Sequence, residues 1–84
     1  MARLFIIVSI FVVPPMMGHV VEELAKLPCV ERLYEVSGEF DVICFVSAAG
    51  IEEFRDILVN QIMKIEGIRS TVSDVILSSH PAQR

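Results

Sequence analysis

The sequence is poor in residues that hold small domains together without a large hydrophobic core. Its 84 residues include two cysteines, two histidines and no tryptophan. Small domains stapled by disulfides carry more cysteines than this, and these cysteines and histidines do not have metal-ligand spacing. Glycine and proline number four each, which excludes a flexible linker or a low-complexity tract. We therefore expect one folded domain with no metal and no cofactor.

Runs of basic residues are also absent. Seven lysines and arginines stand against eleven aspartates and glutamates, which gives a net charge of −4. A protein that binds DNA or RNA by itself neutralises phosphates with a basic patch or stripe. The charge distribution therefore predicts no direct binding of nucleic acid.

Hydrophobic residues, in contrast, make up 54% of the chain, and charged residues only 21%. An isolated domain of this size does not need so much apolar surface, so a membrane or a partner chain should cover part of it. The first apolar run, LFIIVSIFVV after Arg3, is too short to span a bilayer, which takes about 20 residues. The sequence PPMM that follows is unlike a signal-peptide cleavage site. We expect a buried strand here, a cytoplasmic protein and no membrane contact.

The spacing of apolar residues predicts six elements. Continuous or alternating runs rich in β-branched residues favour strands, whereas apolar residues three and four apart favour helices. The prolines that follow the first strand and the first helix end both elements. The predicted order is strand Arg3–Val12, a helix from Met17 that ends before Pro28, strand Val30–Val36, strand Phe40–Ser47, a helix from Ile51 with Lys64 in its last turn and Gly67 as its cap, and strand Ile68–Leu77.

The turn between the second and third strands fixes their pairing. Gly38 is expected to supply a positive φ, and a turn centred on Gly38 and Glu39 pairs Leu33 with Cys44. In that register Cys29 lies roughly 13 Å along the strand from the position opposite Cys44. A disulfide needs Cα atoms within about 7 Å of each other. Both cysteines are therefore predicted to be free, buried thiols.

This order of elements is the split βαβ pattern of the ferredoxin-like α+β fold, with a four-stranded antiparallel sheet. The right-handed crossover rule places both helices on one face of the sheet. The first and third strands are central in this topology and are apolar on both faces, so several side chains would meet water on the helix-free side. Burying each of them contributes roughly 1.5–3 kcal/mol. We therefore expect a homodimer whose sheets pack face to face.

Two stretches, LPCVERLYEVSGEFDVICFV and IEGIRSTVSDVIL, resemble the effector-binding domain, or RAM domain, of the Lrp/AsnC transcription regulators. The resemblance depends on the order and spacing of a Leu-Pro-x-Val opening at residues 27–30, Tyr34, a Gly-x-x-Asp turn at residues 38–41 and a Gly-Ile pair at residues 67–68. It covers the chain from about Arg3 to Leu77. Residues 1–77 are accordingly expected to form this one domain, and residues 78–84 a frayed tail.

The resemblance also implies a function and partners. The family's regulators dimerise through their sheets, assemble dimers into rings such as octamers and bind an amino acid effector between dimers. In those regulators a helix-turn-helix precedes the domain, whereas here Met1 leads straight into the first strand. The resemblance thus implies a stand-alone effector domain, not an enzyme, that modulates transcription by co-assembly with full-length Lrp/AsnC regulators.

The resemblance places one part of the ligand site in the Gly-x-x-Asp turn. Backbone N–H groups beside Gly38 suit a carboxylate, and the carboxylate of Asp41 suits an α-ammonium group. Glu39 and Phe40 lie between them and belong to the candidate site. Structural roles remain open for all four: Gly38 for the hairpin, Asp41 for its hydrogen bonds, Glu39 as a solvated residue and Phe40 as core.

The other part of the candidate site is a pair of hydroxyl side chains, Thr71 and Ser73, that match the family's pair on the last strand. Hydroxyl groups can bond to either end of an amino acid. The alternative is that Thr71 favours the strand conformation and that Ser73 is a surface residue on an edge strand.

Two other functions share this fold. One is a dimeric monooxygenase-type enzyme, which would need a polar pocket between helix and sheet, although the helix faces here are nearly all aliphatic. The other is an ACT-like regulatory module. The fold alone does not separate these functions, but side-by-side packing of subunits, as opposed to face-to-face packing of sheets, would indicate the ACT type.

Overall fold

The computed structural model describes residues 3–83 as one antiparallel sheet in the order β2-β3-β1-β4, with two helices. The elements are β1 Leu4–Val12, a short 3₁₀ turn Pro14–Met16, α1 Met17–Ala25, β2 Val30–Glu35, β3 Val42–Ala48, α2 Ile51–Ile57 with a π turn Leu58–Ile62, and β4 Ile68–Val75. The predicted ferredoxin-like α+β fold is confirmed, with β1 and β3 in the centre of the sheet.

Both helices pack on one face of the sheet, and the hydrophobic core lies between the helices and the sheet. Because side chains alternate along a strand, every second residue of β1 and β3 points into this core. Burial of each large apolar side chain contributes roughly 1.5–3 kcal/mol. The core contains Ile6, Val8, Ile10, Val12, Val20, Leu24, Val42, Cys44, Val46, Ala48, Phe54, Ile57 and Ile62.

The second helix ends in a π turn that the sequence pattern did not predict. The backbone N–H of Met63 donates to the carbonyl oxygen of Leu58, five residues earlier, at 2.8 Å. Ile57 and Ile62 are both buried, although two residues spaced in this way lie about 140° apart on a regular α-helix. The wider π turn brings both side chains onto the face that packs on the sheet. Helical structure therefore ends at Ile62, earlier than predicted.

The connection between β2 and β3 is wider than the predicted turn. Residues 36–41 form a loop that is closed by a hydrogen bond of 3.1 Å from the N–H of Val36 to the carbonyl oxygen of Asp41. Only the tight hairpin turns require left-handed residues, and Gly38 does not have a positive φ. That prediction was therefore wrong, and β3 begins later than predicted because the loop extends to Asp41.

Gly67 lies just before β4. Among residues 3–83 it alone has a positive φ, which is +104°. A Cβ atom here would lie 2.5 Å from Cβ of Met16 and 2.9 Å from Cγ2 of Val20. The carbonyl oxygen of Gly67 accepts a hydrogen bond of 2.8 Å from the N–H of Val13. This close approach joins the chain before β4 to the start of α1 and so brings β4 beside β1.

The predicted strand register is confirmed, with Leu33 opposite Cys44. Both cysteines are free thiols, as predicted, but Cys29 is only half-buried because it lies in the turn before β2. The first apolar run of the sequence is the central strand β1. Within residues 3–83 no helix has both the length and the apolar character needed to cross a membrane.

Candidate functional site

The structure places the six candidate residues in two groups on opposite sides of β1. Gly38, Glu39, Phe40 and Asp41 lie in the loop between β2 and β3, and the backbone N–H of Asp41 donates to the carbonyl oxygen of Ile10 at 3.0 Å. On the other side of β1, Thr71 pairs with Ile10, and Ser73 pairs with Val8. Two strand spacings separate the groups, which is about 10 Å. The structure therefore does not bring the two groups into contact within one chain.

Asp41 holds its loop against the end of β1. Its Oδ2 atom accepts a hydrogen bond of 2.8 Å from the backbone N–H of Val12. This bond lies where the pairing of β1 with β4 shifts register, between Phe11 and Val12. Asp41 therefore has the structural role that the sequence left open, which is to accept a hydrogen bond that holds the loop. This bond uses one of its two carboxylate oxygens.

The other three loop residues have different surroundings. Phe40 is half-buried and its ring packs on Phe11, with 4.7 Å between ring centroids. Glu39 and Gly38 are exposed, and a Cβ atom added at Gly38 would meet no atom within 4 Å. Because Gly38 is not required for a left-handed φ or for close packing within the chain, the space beside it is open to another molecule.

The two hydroxyl side chains lie on the helix side of the edge strand β4. Directly paired residues of neighbouring strands share a face of the sheet, and the partners of Thr71 and Ser73 are buried in the core. Both residues are half-buried, and the Oγ1 atom of Thr71 donates to the Sδ atom of Met63 at 3.7 Å. Met63 is a neighbour that sequence reasoning missed, because the π turn determines where it lies.

The candidate residues do not line the main surface clefts found within residues 3–83. Three surface clefts of about 310, 180 and 320 Å³ lie elsewhere, and none of these three is lined by a candidate residue. The third contains Cys29, Glu53 and Gln61, none of which was a candidate for the ligand site. A ligand at the candidate residues would need a second surface to cover it.

The two thiols are poor nucleophiles in this fold. Burial raises the pKa of the Cys44 thiol to about 12. Burial also raises the pKa of Cys29, and the nearby carboxylate of Glu53 adds to that rise. Reactive cysteines have a lowered pKa. Among residues 3–83 no group of three histidine, cysteine or acidic side chains is placed to hold a metal ion.

The sheet face opposite the helices, which we call the helix-free face, is apolar and open. Its apolar side chains are Phe5, Ile7, Phe11, Tyr34, Ile43, Phe45 and Val72, and the polar residues on the same face include Ser9, Ser47, Arg32 and Asp74. Phe5, Tyr34 and Val72 are 47%, 45% and 45% exposed, and the rings of Tyr34 and Phe45 meet edge to face at 6.1 Å. An exposed apolar surface of this extent is typical of an interaction site.

The family model that matches the chain is the Lrp/AsnC ligand binding domain, over residues 6–84. An uncharacterised HTH-type transcriptional regulator of Pyrococcus abyssi (strain GE5 / Orsay) is 38% identical over 65 residues, which cover 77% of this chain and 41% of that protein. A regulator of the same description from Pyrococcus horikoshii is 35% identical over 65 residues, with coverage of 77% and 41%. The chain thus spans about two fifths of the length of these relatives.

Solved structures show the same fold. Escherichia coli AsnC matches with a TM-score of 0.87 and 22% identity, covering 96% of this chain and 54% of that one. A Thermus thermophilus protein matches with a TM-score of 0.87 and 25% identity, covering 94% and 99%. A Neisseria meningitidis transcriptional regulator in complex with L-Met matches with a TM-score of 0.80 and 13% identity, covering 94% and 53%. The resemblance in the sequence is confirmed, and the chain belongs to the Lrp/AsnC ligand-binding domain family.

Proposed function

We propose that this chain is an amino-acid-binding regulatory domain that acts on transcription through its assembly into oligomers. The observation that carries the proposal is that Gly38 and Glu39 are exposed, with no atom within 4 Å of a Cβ placed at Gly38, and that none of the three clefts described above includes a candidate residue. A ligand held there is covered only when a second subunit packs over it. Ligand binding and assembly are then thermodynamically linked, because each increases the affinity of the other. The L-Met complex of the Neisseria meningitidis regulator supports an amino acid as the ligand.

The chemistry of the candidate residues suits both ends of an amino acid. The exposed backbone beside Gly38 offers N–H groups to an α-carboxylate, and the carboxylates of Glu39 and Asp41 can accept bonds from an α-ammonium group. One Asp41 oxygen already bonds to Val12, so Asp41 also positions the loop. We propose that Phe40 lines the site as an apolar wall.

The hydroxyl groups of Thr71 and Ser73 complete the proposed site from β4. Each hydroxyl can donate to a carboxylate or accept from an ammonium group. Their half-buried position on the helix side of β4 leaves part of each side chain accessible at this edge of the sheet. A ligand that reaches them is therefore in contact with one subunit while a neighbouring dimer covers it.

We propose a homodimer formed through the helix-free face, which then assembles into an octamer-like ring. The apolar side chains on this face support the first step, since covering them removes apolar surface from water. Co-assembly with full-length Lrp/AsnC regulators in the cytoplasm would connect the domain to promoters. The net charge of −4 agrees with a chain that does not itself contact nucleic acid.

We propose a non-enzymatic role, because aliphatic side chains fill the space between helices and sheet. Ile6, Val20 and Leu24 are fully buried there. The polar pocket that a monooxygenase-type enzyme needs is not among the three clefts described above. An ACT-like module would pair side by side and would leave the helix-free face open, which the exposed rings of Phe5 and Tyr34 disfavour.

The test is a screen of the twenty amino acids that records melting temperature and native mass. An amino acid that binds the folded chain at 100 times its Kd adds about 2.7 kcal/mol of stability, so at least one should raise the melting temperature and shift the oligomer distribution. The double variant Thr71→Val/Ser73→Ala should lose this response. Ser79→Ala, a change to an exposed residue outside the strands, is the matched control and should keep it. If no amino acid changes either quantity, the proposed function fails.

A further inference from the structure

An exposed methionine, Met63, lies against one residue of the proposed ligand site. It ends the π turn that follows α2 and is 42% exposed. The Oγ1 atom of Thr71 on β4 donates to its Sδ atom at 3.7 Å. The other methionines among residues 3–83, Met16 and Met17, are half-buried and pack against the core. Within this part of the chain, Met63 is therefore the methionine that a dissolved oxidant reaches most easily.

The two thiols compete poorly for such an oxidant. A cysteine reacts as its thiolate, and burial raises the pKa of Cys44 to about 12 and also raises the pKa of Cys29. Few thiolates are therefore present near neutral pH. A thioether has no proton to lose, so its lone pairs react without prior ionisation. Exposure and ionisation together make Met63 the sulfur that a peroxide attacks first.

We propose that Met63 is a site of reversible oxidation by hydroperoxides, and that its sulfoxide lowers the affinity of the amino acid site by capturing the hydroxyl group of Thr71. This inference rests on the proposed function and adds a regulation of the same site. A lone pair of Sδ attacks the terminal oxygen of the hydroperoxide, and the O–O bond breaks. The leaving oxygen takes the proton and departs as water or an alcohol. The sulfur loses two electrons and gains one oxygen atom, while the peroxide is reduced.

The oxidised side chain offers Thr71 a stronger acceptor than the thioether does. A thioether sulfur is a weak acceptor, so the present contact leaves the hydroxyl group free to turn toward a ligand. A sulfoxide is polar, and the exposed Met63 side chain has room to bring its oxygen to an ordinary distance of about 2.7–2.8 Å from Oγ1. Thr71 has a single hydroxyl proton. Once the sulfoxide holds that proton, Thr71 no longer donates to an α-carboxylate.

Treatment of the full chain with dilute hydrogen peroxide tests both steps. Peptide mass spectrometry should show that Met63 gains one oxygen atom several times faster than Met16 and Met17. After the peroxide is removed, the screen of twenty amino acids is repeated. Any amino acid that binds the untreated chain should bind roughly three- to tenfold more weakly, which corresponds to the loss of one hydrogen bond. Methionine sulfoxide reductases should restore both the mass and the binding.

Variants of Met63 separate the effect of its sulfoxide from general oxidative damage. Met63→Leu keeps an apolar side chain of similar volume without sulfur and should keep its amino acid response after peroxide treatment. Met63→Gln places an amide oxygen beside Thr71 and should bind the amino acid weakly even without peroxide. Met17→Leu is the matched control and should respond to peroxide as the wild type does.

The outcomes separate this inference from the proposed function. If Met63 is oxidised no faster than Met16 and Met17, the inference is wrong whatever the amino acid screen shows. If Met63 is oxidised selectively but binding is unchanged, or if Met63→Leu loses binding as the wild type does, the regulation is wrong while the proposed function stands. If no amino acid binds the untreated chain, the proposed function fails and its regulation fails with it.

Discussion

At Gly67 the backbone passes too close to the first helix for any side chain. Its φ of +104° lies in the region that L-residues rarely adopt. The atoms that a Cβ would meet, on Met16 and Val20, belong to side chains that pack against the core. Gly38 has neither property: its φ is not positive, and the space around it is empty. The two glycines should therefore respond differently to the same change.

We expect Gly67→Ala to lower the free energy of unfolding by about 1–3 kcal/mol or more. The substitution combines a strained φ with a clash against residues at the start of the first helix. Gly38→Ala is the matched control. It should leave stability unchanged or raise it by about 0.4–1 kcal/mol, since alanine restricts the unfolded chain. Urea denaturation of both variants measures this. Equal stability of the two variants would contradict the conformation described for Gly67.

The buried thiol of Cys44 makes stability depend on pH in the alkaline range. Its pKa is raised to about 12 in the folded chain from an ordinary value of 9.0. Between these values the folded state binds more protons than the unfolded state, so stability is complete below pH 9 and falls as pH rises above it. The limiting slope is about 1.4 kcal/mol per pH unit. Cys44→Ala should flatten this slope when melting is followed from pH 7 to pH 10, and an unchanged slope would contradict the assignment.

At the scale of elements, the β2–β3 loop and the end of β1 are joined by one carboxylate. Asp41 bonds to Val12 through its side chain and to Ile10 through its backbone N–H. The side-chain bond satisfies a backbone N–H at the point where β1 changes its register with β4. The loop that carries Gly38, Glu39 and Phe40 is thus attached to the central strand β1 through Asp41.

Asp41→Ala should lower the free energy of unfolding by about 1–3 kcal/mol, because it leaves the N–H of Val12 without its acceptor in a partly buried place. Asp41→Asn keeps an oxygen acceptor and should lose much less. Glu39→Ala in the same loop should be nearly neutral. Chemical denaturation gives all three values. If Asp41→Ala is as stable as Glu39→Ala, the bond to Val12 does not hold the loop.

The helices and strands themselves follow from apolar spacing, but the π turn of α2 does not. Residues on the same face of a regular α-helix are three or four positions apart, but Ile57 and Ile62 are five positions apart. One extra residue must therefore be accommodated if both are to face the sheet. Whether this extra residue is absorbed by a π turn or by ending the helix depends on how well both side chains pack on the sheet. The contact between Met63 and Thr71 follows from that choice and was therefore not predictable.

At the scale of the whole molecule, the main question is how much the apolar surface of the helix-free face stabilises an assembly relative to a single chain. Ile7, Phe11, Ile43 and Phe45 are only half-buried there, and they lie on the two central strands. Removing them from water would add hydrophobic stabilisation that a single chain does not have. The melting temperature of such a protein should rise with its concentration, because association stabilises the folded state.

Phe45→Asp should weaken the proposed dimer by roughly a hundredfold or more, since a dimer through the helix-free face would bury two such rings at about 1.5–3 kcal/mol each. The secondary structure should be retained, because Phe45 points away from the helices. Val59→Asp is the matched control: Val59 is also an exposed apolar residue, at 52%, but lies on the outer side of the helical layer. Sedimentation at several concentrations distinguishes the two. A dimer unaffected by Phe45→Asp would exclude the helix-free face as its interface.

The sequence by itself determined the order of elements, the register of the β2–β3 pair and the excess of apolar surface on one side of the sheet. These follow from local rules, because apolar periodicity and proline positions act over a few residues. Only the tertiary structure decided that Gly67 rather than Gly38 adopts a positive φ, that Asp41 bonds to Val12, and that Met63 lies against Thr71. Each of these depends on contacts between segments far apart in the chain, which local patterns do not encode.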